Sequence, residues 1–85
     1  MKTIVLTVAA ARDLDALPAE PRRSIMRALT AYAIDGTGDI RSLKGRPGYR
    51  MRVGAYRVIF NEDRTTILAI YIGRRATTTY GRIRP

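Results

Sequence analysis

The chain has 85 residues, enough for one domain with a single modest core, and carries a formal net charge of +9 at pH 7. It contains no cysteine and no histidine, which excludes disulfide bonds, thiolate metal sites, a cysteine nucleophile and the commonest general base of enzymes. The N-terminal apolar run is too short for a signal peptide or a membrane span, so we expect a cytoplasmic protein.

The first half of the sequence predicts a strand followed by two helices. Residues Thr3–Val8 are β-branched and apolar, as in a strand that is partly covered on both faces. Residues Ala9–Leu17 predict a short helix. Apolar residues then recur at helical spacing and Gly36 follows them, which predicts a second helix from about Glu20 to Asp35. We interpret Tyr32, on the apolar side of this helix, as a core residue.

The second half predicts three strands after a connection. Residues Gly36–Gly48 are punctuated by glycine and are interpreted as that connection. The runs Tyr49–Val53 and Tyr56–Phe60 predict a hairpin, because Gly54 occupies the first central position that a type II′ turn reserves for glycine. The third run, Thr65–Ile72, is almost wholly apolar, which favours an interior position in the sheet.

These elements predict an α+β fold in a single domain spanning residues 1–85. An N-terminal strand and a two-helix hairpin precede a three-stranded antiparallel sheet, and the helices cover one face of that sheet. The other face is left open.

Basic side chains are concentrated in the second half of the chain. Residues 1–40 contain five basic and five acidic side chains, whereas residues 41–85 contain eleven basic and two acidic ones, which accounts for the whole net charge. A patch of one sign on a small domain attracts nucleic acid or an acidic protein surface. We expect no membrane binding, because no strongly amphipathic basic helix accompanies the charge.

The predicted hairpin places three arginines on one face. If Val53 pairs with Tyr56, Arg52 lies directly opposite Arg57, and Arg50 lies on the same side of the sheet. Like charges opposite each other are destabilising, so the cluster favours an anionic partner, and phosphate matches the planar guanidinium. The alternative is an arginine face that is merely solvated.

A pattern of arginine, glycine and tyrosine continues to the C-terminal segment. The stretch from Leu43 to Arg82 resembles the RelE/ParE superfamily of toxins from type II toxin–antitoxin modules. The matching residues are a leucine and a glycine before the hairpin, the run YRMRVGAYRV, and a Gly-x-Arg followed by a tyrosine, namely Leu43, Gly45, Tyr49–Val58, Gly73, Arg75 and Tyr80. RelE-like members cleave messenger RNA in the ribosomal A site, whereas ParE-like members poison DNA gyrase.

The resemblance implies a catalytic set of four arginines and one tyrosine. Arg50 and Arg52 match basic positions, usually lysine in the best-known RelE, that hold phosphate. Arg57 would bind the scissile phosphate and Arg75 would stabilise the leaving oxygen. Tyr80 would stack on a base or help to activate the 2′-hydroxyl. Because arginine is essentially never deprotonated, the arginines of the set cannot act as the base, and Tyr80 is the candidate for that role. Its alternative role is to pack the C-terminal tail against the sheet.

Other side chains of the basic half receive weaker assignments. Four basic residues are predicted to contact RNA, with antitoxin contact or simple solubility as the alternatives: Lys44, Arg46, Arg74 and Arg82. Three tyrosines are interpreted as packing residues rather than base-stacking platforms: Tyr49, Tyr56 and Tyr71.

The leading hypothesis is a ribosome-dependent, metal-independent endoribonuclease toxin that a cognate antitoxin neutralises in a heteromeric complex. Its partners would be messenger RNA, ribosomal RNA and the antitoxin. We expect no cofactor, since neither a ligand cluster nor a phosphate-cradling glycine loop is recognisable. The alternatives are a gyrase inhibitor without nuclease activity and a catalytically inactive domain that binds nucleic acid or a partner.

Overall fold

The computed structural model describes residues 1–75, which form two helices and a five-stranded sheet. The elements in chain order are β1 (Thr3–Leu6), α1 (Val8–Asp15), α2 (Ala19–Asp35), β2 (Asp39–Ser42), β3 (Tyr49–Val53), β4 (Tyr56–Glu62) and β5 (Thr66–Arg74). The strand order in the sheet is β1-β5-β4-β3-β2, with β1 parallel to β5 and the remaining pairs antiparallel. Within the described residues, neither helix has the length and apolar character needed to cross a membrane.

The helix ends follow from local hydrogen bonding. Thr7 caps α1, because its Oγ1 accepts a hydrogen bond from the Ala10 N–H at 3.1 Å. Helix α2 ends at Asp35; the next residue, Gly36, donates its N–H to the Tyr32 carbonyl and turns the chain out of the helix with a φ of +80°. Both predicted helices are confirmed, with small shifts at their ends.

The predicted three-stranded antiparallel sheet is wrong in two respects. Strand β2 lies inside the stretch that was interpreted as an irregular connection, where Ile40 is the one apolar side chain of the strand. Backbone pairing with β3, rather than an apolar pattern, holds these four residues in the sheet. In addition, β1 joins the same sheet in parallel with β5, which makes the sheet mixed.

The hairpin matches its prediction residue for residue. Val53 pairs with Tyr56, and Arg52 pairs with Arg57. Gly54 has a φ of +59° whereas Ala55 does not have a positive φ, as a type II′ turn requires.

The helices cover one face of the sheet and enclose the core. The most completely buried large side chains come from both layers: Ile25, Leu29, Met51, Val58, Phe60 and Ile67. Tyr32 packs its ring edge against Phe60 at a centroid distance of 5.4 Å, as its interpretation as a core residue requires. The other face of the sheet is uncovered among the described residues.

A β-bulge interrupts the pairing of β4 with β5. Ile59 pairs with Tyr71 while the next residue, Phe60, pairs with Ala69, so Ile70 is an extra residue in β5. As a result two consecutive side chains, Ile70 and Tyr71, are 37% and 42% exposed, while the flanking Ala69 and Ile72 are buried. The interior position predicted for β5 is confirmed, but its open-face side chains remain accessible.

Candidate functional site

The open face of β2, β3 and β4 carries four arginines, which we call the arginine face: Arg41, Arg50, Arg52 and Arg57. Arg41 lies directly opposite Arg50 across β2 and β3, and Arg52 lies directly opposite Arg57 across β3 and β4. The predicted sharing of one face by Arg50, Arg52 and Arg57 is therefore confirmed. Arg41 was missed because it belongs to the unpredicted strand β2.

The charges of the arginine face are incompletely compensated. Arg52 forms an ion pair with Asp39, with 3.7 Å between Nε and Oδ2, but both side chains are well exposed, so the pair contributes only about 0–1 kcal/mol. The Nε atoms of Arg50 and Arg57 are buried and have no hydrogen-bond partner among residues 1–75. A buried donor without a partner costs free energy, and in a folded protein it calls for an explanation such as local strain, an ordered water or a functional role.

A cleft with a volume of about 440 Å³ opens beside these two arginines. This volume lies in the range of small-ligand sites. The loop between β2 and β3 forms one wall and the open face of the sheet forms the floor, with the lining residues Leu43, Arg46, Pro47, Arg50, Arg57, Ile59, Ile70 and Tyr71. The cleft therefore combines guanidinium groups with apolar and aromatic surface.

Gly48 allows the loop wall to close against the sheet. Its φ is +118°, and a Cβ at this position would lie 3.1 Å from Leu43 Cδ1 and 3.1 Å from Asn61 Oδ1. The Leu43 N–H donates a hydrogen bond to the Gly48 carbonyl at 3.0 Å, which ties the two ends of the loop together.

The predicted RNA-contact residues fall in different places. Arg46 lines the cleft, and Lys44 lies beside Arg41 and Arg50 on a neighbouring hollow of the surface. Arg74 instead lies on the helix-covered side of the sheet, where its guanidinium carbon is 5.5 Å from the centroid of the Tyr56 ring. Arg82 lies outside the described residues.

Of the two C-terminal members of the predicted catalytic set, one lies in the described part of the chain, and it does not line the cleft. Arg75 lies at the hairpin turn, where its Nη1 donates to the Gly54 carbonyl at 2.9 Å and its backbone N–H donates to the Ala55 carbonyl at 2.8 Å. Tyr80 lies outside the described residues. The described part of the site can therefore bind and neutralise phosphate, whereas the proton acceptor predicted for it belongs to another segment.

Tyr71 is a cleft residue that sequence reasoning assigned to packing. In a regular strand Ile70 and Tyr71 would point to opposite faces, and only the bulge brings both to the open face. No local pattern in the apolar run of β5 marks that extra residue, so the sequence carried no signal for it.

The fold matches solved structures of toxin–antitoxin proteins. A chain of the RelE–RelB complex from Pyrococcus horikoshii OT3 gives a TM-score of 0.74 at 21% sequence identity, covering 91% of this chain and 98% of that chain. A chain of the RelB–RelE antitoxin–toxin complex from Methanococcus jannaschii gives 0.71 at 23% identity, covering 86% and 92%. For YoeB from Staphylococcus aureus the values are 0.73 at 18% identity, covering 87% and 97%.

The sequence matches no protein-family model and no curated protein. The structural matches extend over most of both chains, and they show that this chain has the RelE-like toxin fold. The fold expected from the resemblance is thus confirmed.

Proposed function

We propose that this chain is the toxin of a type II toxin–antitoxin module and that it cleaves messenger RNA on the ribosome. The RelE-like fold supports the class of protein. The observation that carries the choice of substrate is the set of like-charged arginines on the open face, two of which, Arg50 and Arg57, line the cleft. A phosphate bound between the two guanidinium groups gives them a charged acceptor and offsets the repulsion of the cluster.

The reaction that suits this face is attack of a ribose 2′-hydroxyl on its own phosphodiester. O2′ bonds to phosphorus in line with O5′, the P–O5′ bond breaks, and a 2′,3′-cyclic phosphate and a 5′-hydroxyl remain. The O2′ proton passes to a base, and a water molecule gives O5′ a proton as it leaves. Arg50 and Arg57 stabilise the negative charge that builds on the phosphorane oxygens, and a rigid sheet holds them in place for that task.

The remaining catalytic assignments complete this scheme. Arg52 adds positive charge at the edge of the site, and Arg75 exchanges its hydrogen bond with the Gly54 carbonyl for one to O5′. Tyr80 acts as the base, because a guanidinium has no acceptor for a proton.

The open face also fits an antitoxin. From the edge of the cleft, where Ile70 lies, exposed apolar side chains continue across β5 and β1 at Leu68 and Val5. A segment with carboxylates along one stretch and apolar side chains along the next would cover both the arginine face and this strip. We propose that the cognate antitoxin supplies such a segment in a heteromeric complex, as the antitoxin–toxin complexes with this fold support.

Expression in growing cells tests the proposal. The wild-type chain should arrest growth and leave cuts inside translated reading frames, mapped as new transcript ends. Arg57→Ala should abolish both effects. Arg23→Ala removes the same charge from the exposed side of α2 and should behave as wild type.

Other outcomes discriminate between the remaining readings. Growth arrest with intact transcripts, double-strand DNA breaks and a DNA-damage response would contradict RNA cleavage and identify a gyrase inhibitor. Salt-sensitive RNA binding without arrest would identify an inactive binding domain.

A further inference from the structure

Tyr71 lies beside the arginine face, and hydrogen bonds to both neighbouring residues fix the backbone that carries it. The Thr7 hydroxyl donates to the Ile70 carbonyl at 3.3 Å, and the Ile72 N–H donates to Asp13 Oδ2 at 3.1 Å. These contacts hold the bulged backbone against α1. Tyr71 therefore projects from a rigid part of the sheet rather than from a loop.

The ring of Tyr71 extends along β5 and lies across Gly73. A Cβ at residue 73 would overlap the tyrosine hydroxyl and would lie 2.7 Å from Cζ. Gly73 is the residue that pairs with Arg57, so the outer half of the ring lies next to the arginine that is proposed to hold the scissile phosphate. Glycine at this position leaves the room in which the ring can lie.

Tyr71 differs from the tyrosines of the helix-covered face. Tyr49 stacks on Phe60 at a centroid distance of 5.5 Å and Tyr32 meets the same ring edge-on, so both are packing residues. Tyr71 is 42% exposed and lines the cleft together with Arg50 and Arg57. Exposed aromatic rings beside a cationic groove are how proteins hold the bases of single-stranded nucleic acids.

We propose that Tyr71 is the stacking wall for a nucleobase of single-stranded RNA, with the adjoining phosphate held by Arg50 and Arg57. This inference rests on the proposed function and adds the base contact to it. Every base has a π-face, so the contact tolerates any sequence and fixes the nucleotide beside the arginines rather than selecting a codon.

A titration with two matched RNA ligands tests the proposal. The first is a trinucleotide whose central 2′-hydroxyl is replaced by hydrogen, so that it is not cleaved, and the second is the same ligand with each base removed in turn. Binding to the full chain is followed by NMR. Tyr71→Leu should weaken binding of the intact ligand roughly five- to 150-fold, the equivalent of one lost stacking contact. It should leave binding of one abasic ligand unchanged.

Two further variants separate stacking from a structural effect. Tyr71→Phe keeps the ring and should bind within about twofold of wild type. Gly73→Ala keeps the tyrosine but displaces it, and its backbone has no positive φ to strain, so it should reproduce the loss seen with Tyr71→Leu. Equal weakening of all ligands by Tyr71→Leu, or no weakening of any, would overturn the stacking role.

Arg57→Ala tells the two proposals apart. If it weakens the intact and abasic ligands alike while Tyr71→Leu changes neither, only the stacking wall is wrong. If Arg57→Ala changes neither, or the wild-type chain binds the ligand neither free nor on ribosomes, the RNA site of the proposed function is wrong as well.

Discussion

Charged side chains on the two faces of the sheet differ in how completely they are paired by hydrogen bonds. On the helix-covered face, the carboxylate of Glu62 accepts hydrogen bonds from Lys2 Nζ and from the Tyr32 hydroxyl, each at 2.6 Å. On the open face, Arg50 and Arg57 keep buried donors without partners among the described residues. The Glu62 carboxylate is thus satisfied within the fold, whereas Arg50 and Arg57 have positive charge to offer to a ligand.

The cluster of Lys2, Tyr32 and Glu62, which we call the paired cluster, has pKa shifts that stabilise the folded chain. Burial alone would raise the pKa of Glu62, but the hydrogen bonds from Lys2 and Tyr32 and the charge of Lys2 outweigh burial and lower that pKa below its usual value. Burial and the neighbouring Glu62 raise the pKa of Tyr32 to about 12. The cluster therefore stabilises the folded chain through the pH range in which Glu62 is ionised and Tyr32 is protonated.

The largest expected effect comes from removing charge on the open face. Arg50→Ala should slow cleavage of messenger RNA on programmed ribosomes about 10²–10³-fold, as the loss of one oxyanion donor does. The free energy of unfolding should not fall, because the change removes a buried unpaired donor and one member of a like-charged pair. Single-turnover cleavage and urea denaturation measure the two quantities. A large loss of stability would contradict the contrast between the faces.

The reciprocal change breaks the paired cluster. Glu62→Ala strands Lys2 and Tyr32 and should lower the free energy of unfolding by about 1–3 kcal/mol in urea. The rate of cleavage per folded molecule should stay at the wild-type value, because Glu62 lies on the other side of the sheet. Slower cleavage by fully folded Glu62→Ala would show that the two faces are coupled.

The dependence of the unfolding free energy on acidic pH tests the role of the Glu62 carboxylate. Because the folded-state pKa of Glu62 is lowered, its stabilising contribution is present above the ordinary pKa of glutamate and is lost as the pH falls through the folded-state pKa. The difference in unfolding free energy between wild type and Glu62→Gln should therefore shrink as the pH falls. A difference that stays constant with pH would mean that the carboxylate is not the stabilising group.

At alkaline pH, the dependence of the unfolding free energy on pH should reflect the ionisation of Tyr32. Its folded-state pKa is raised from 10.0 to about 12, so the contribution of the neutral hydroxyl is present below pH 10 and is lost as the pH rises toward 12. Tyr32→Phe should flatten the decline of stability across this interval relative to wild type. Equal slopes for the two proteins would contradict the assignment.

The smallest expected effect is the relief of repulsion between strands. Arg41→Thr removes the positive charge opposite Arg50 and should raise the free energy of unfolding by about 0.2–1 kcal/mol. The gain should be smaller at high salt, which screens exposed charges. Thr37→Ser, away from the arginine face, serves as a neighbouring control in the same urea titrations.

The hairpin shows which parts of the site the sequence determines. Alternation along β3 and β4 and the glycine of a two-residue turn are local properties, so the register of Arg52 against Arg57 could be predicted without coordinates. Strand β2 escaped prediction because backbone pairing with β3, rather than an apolar pattern, stabilises it, and only Ile40 contributes an apolar side chain.

The cleft depended on features without a local pattern. The extra residue at Ile70 reverses the alternation of β5, so Tyr71 faces outward although the run is apolar throughout. The side of the sheet on which Arg74 lies depends on the register between β4 and β5, in which Arg74 pairs with Tyr56. Alternation within one strand does not predict that register. The core face was easier to predict, because burial of apolar side chains is visible in composition and spacing.

The most direct test of the account is to observe the two unpartnered donors themselves. In an NMR titration with the uncleavable trinucleotide, the Nε–H resonances of Arg50 and Arg57 should shift and become protected from exchange with water. These two signals should change most among the arginine side chains of the described residues. Saturable RNA binding that leaves both signals unmoved would contradict it.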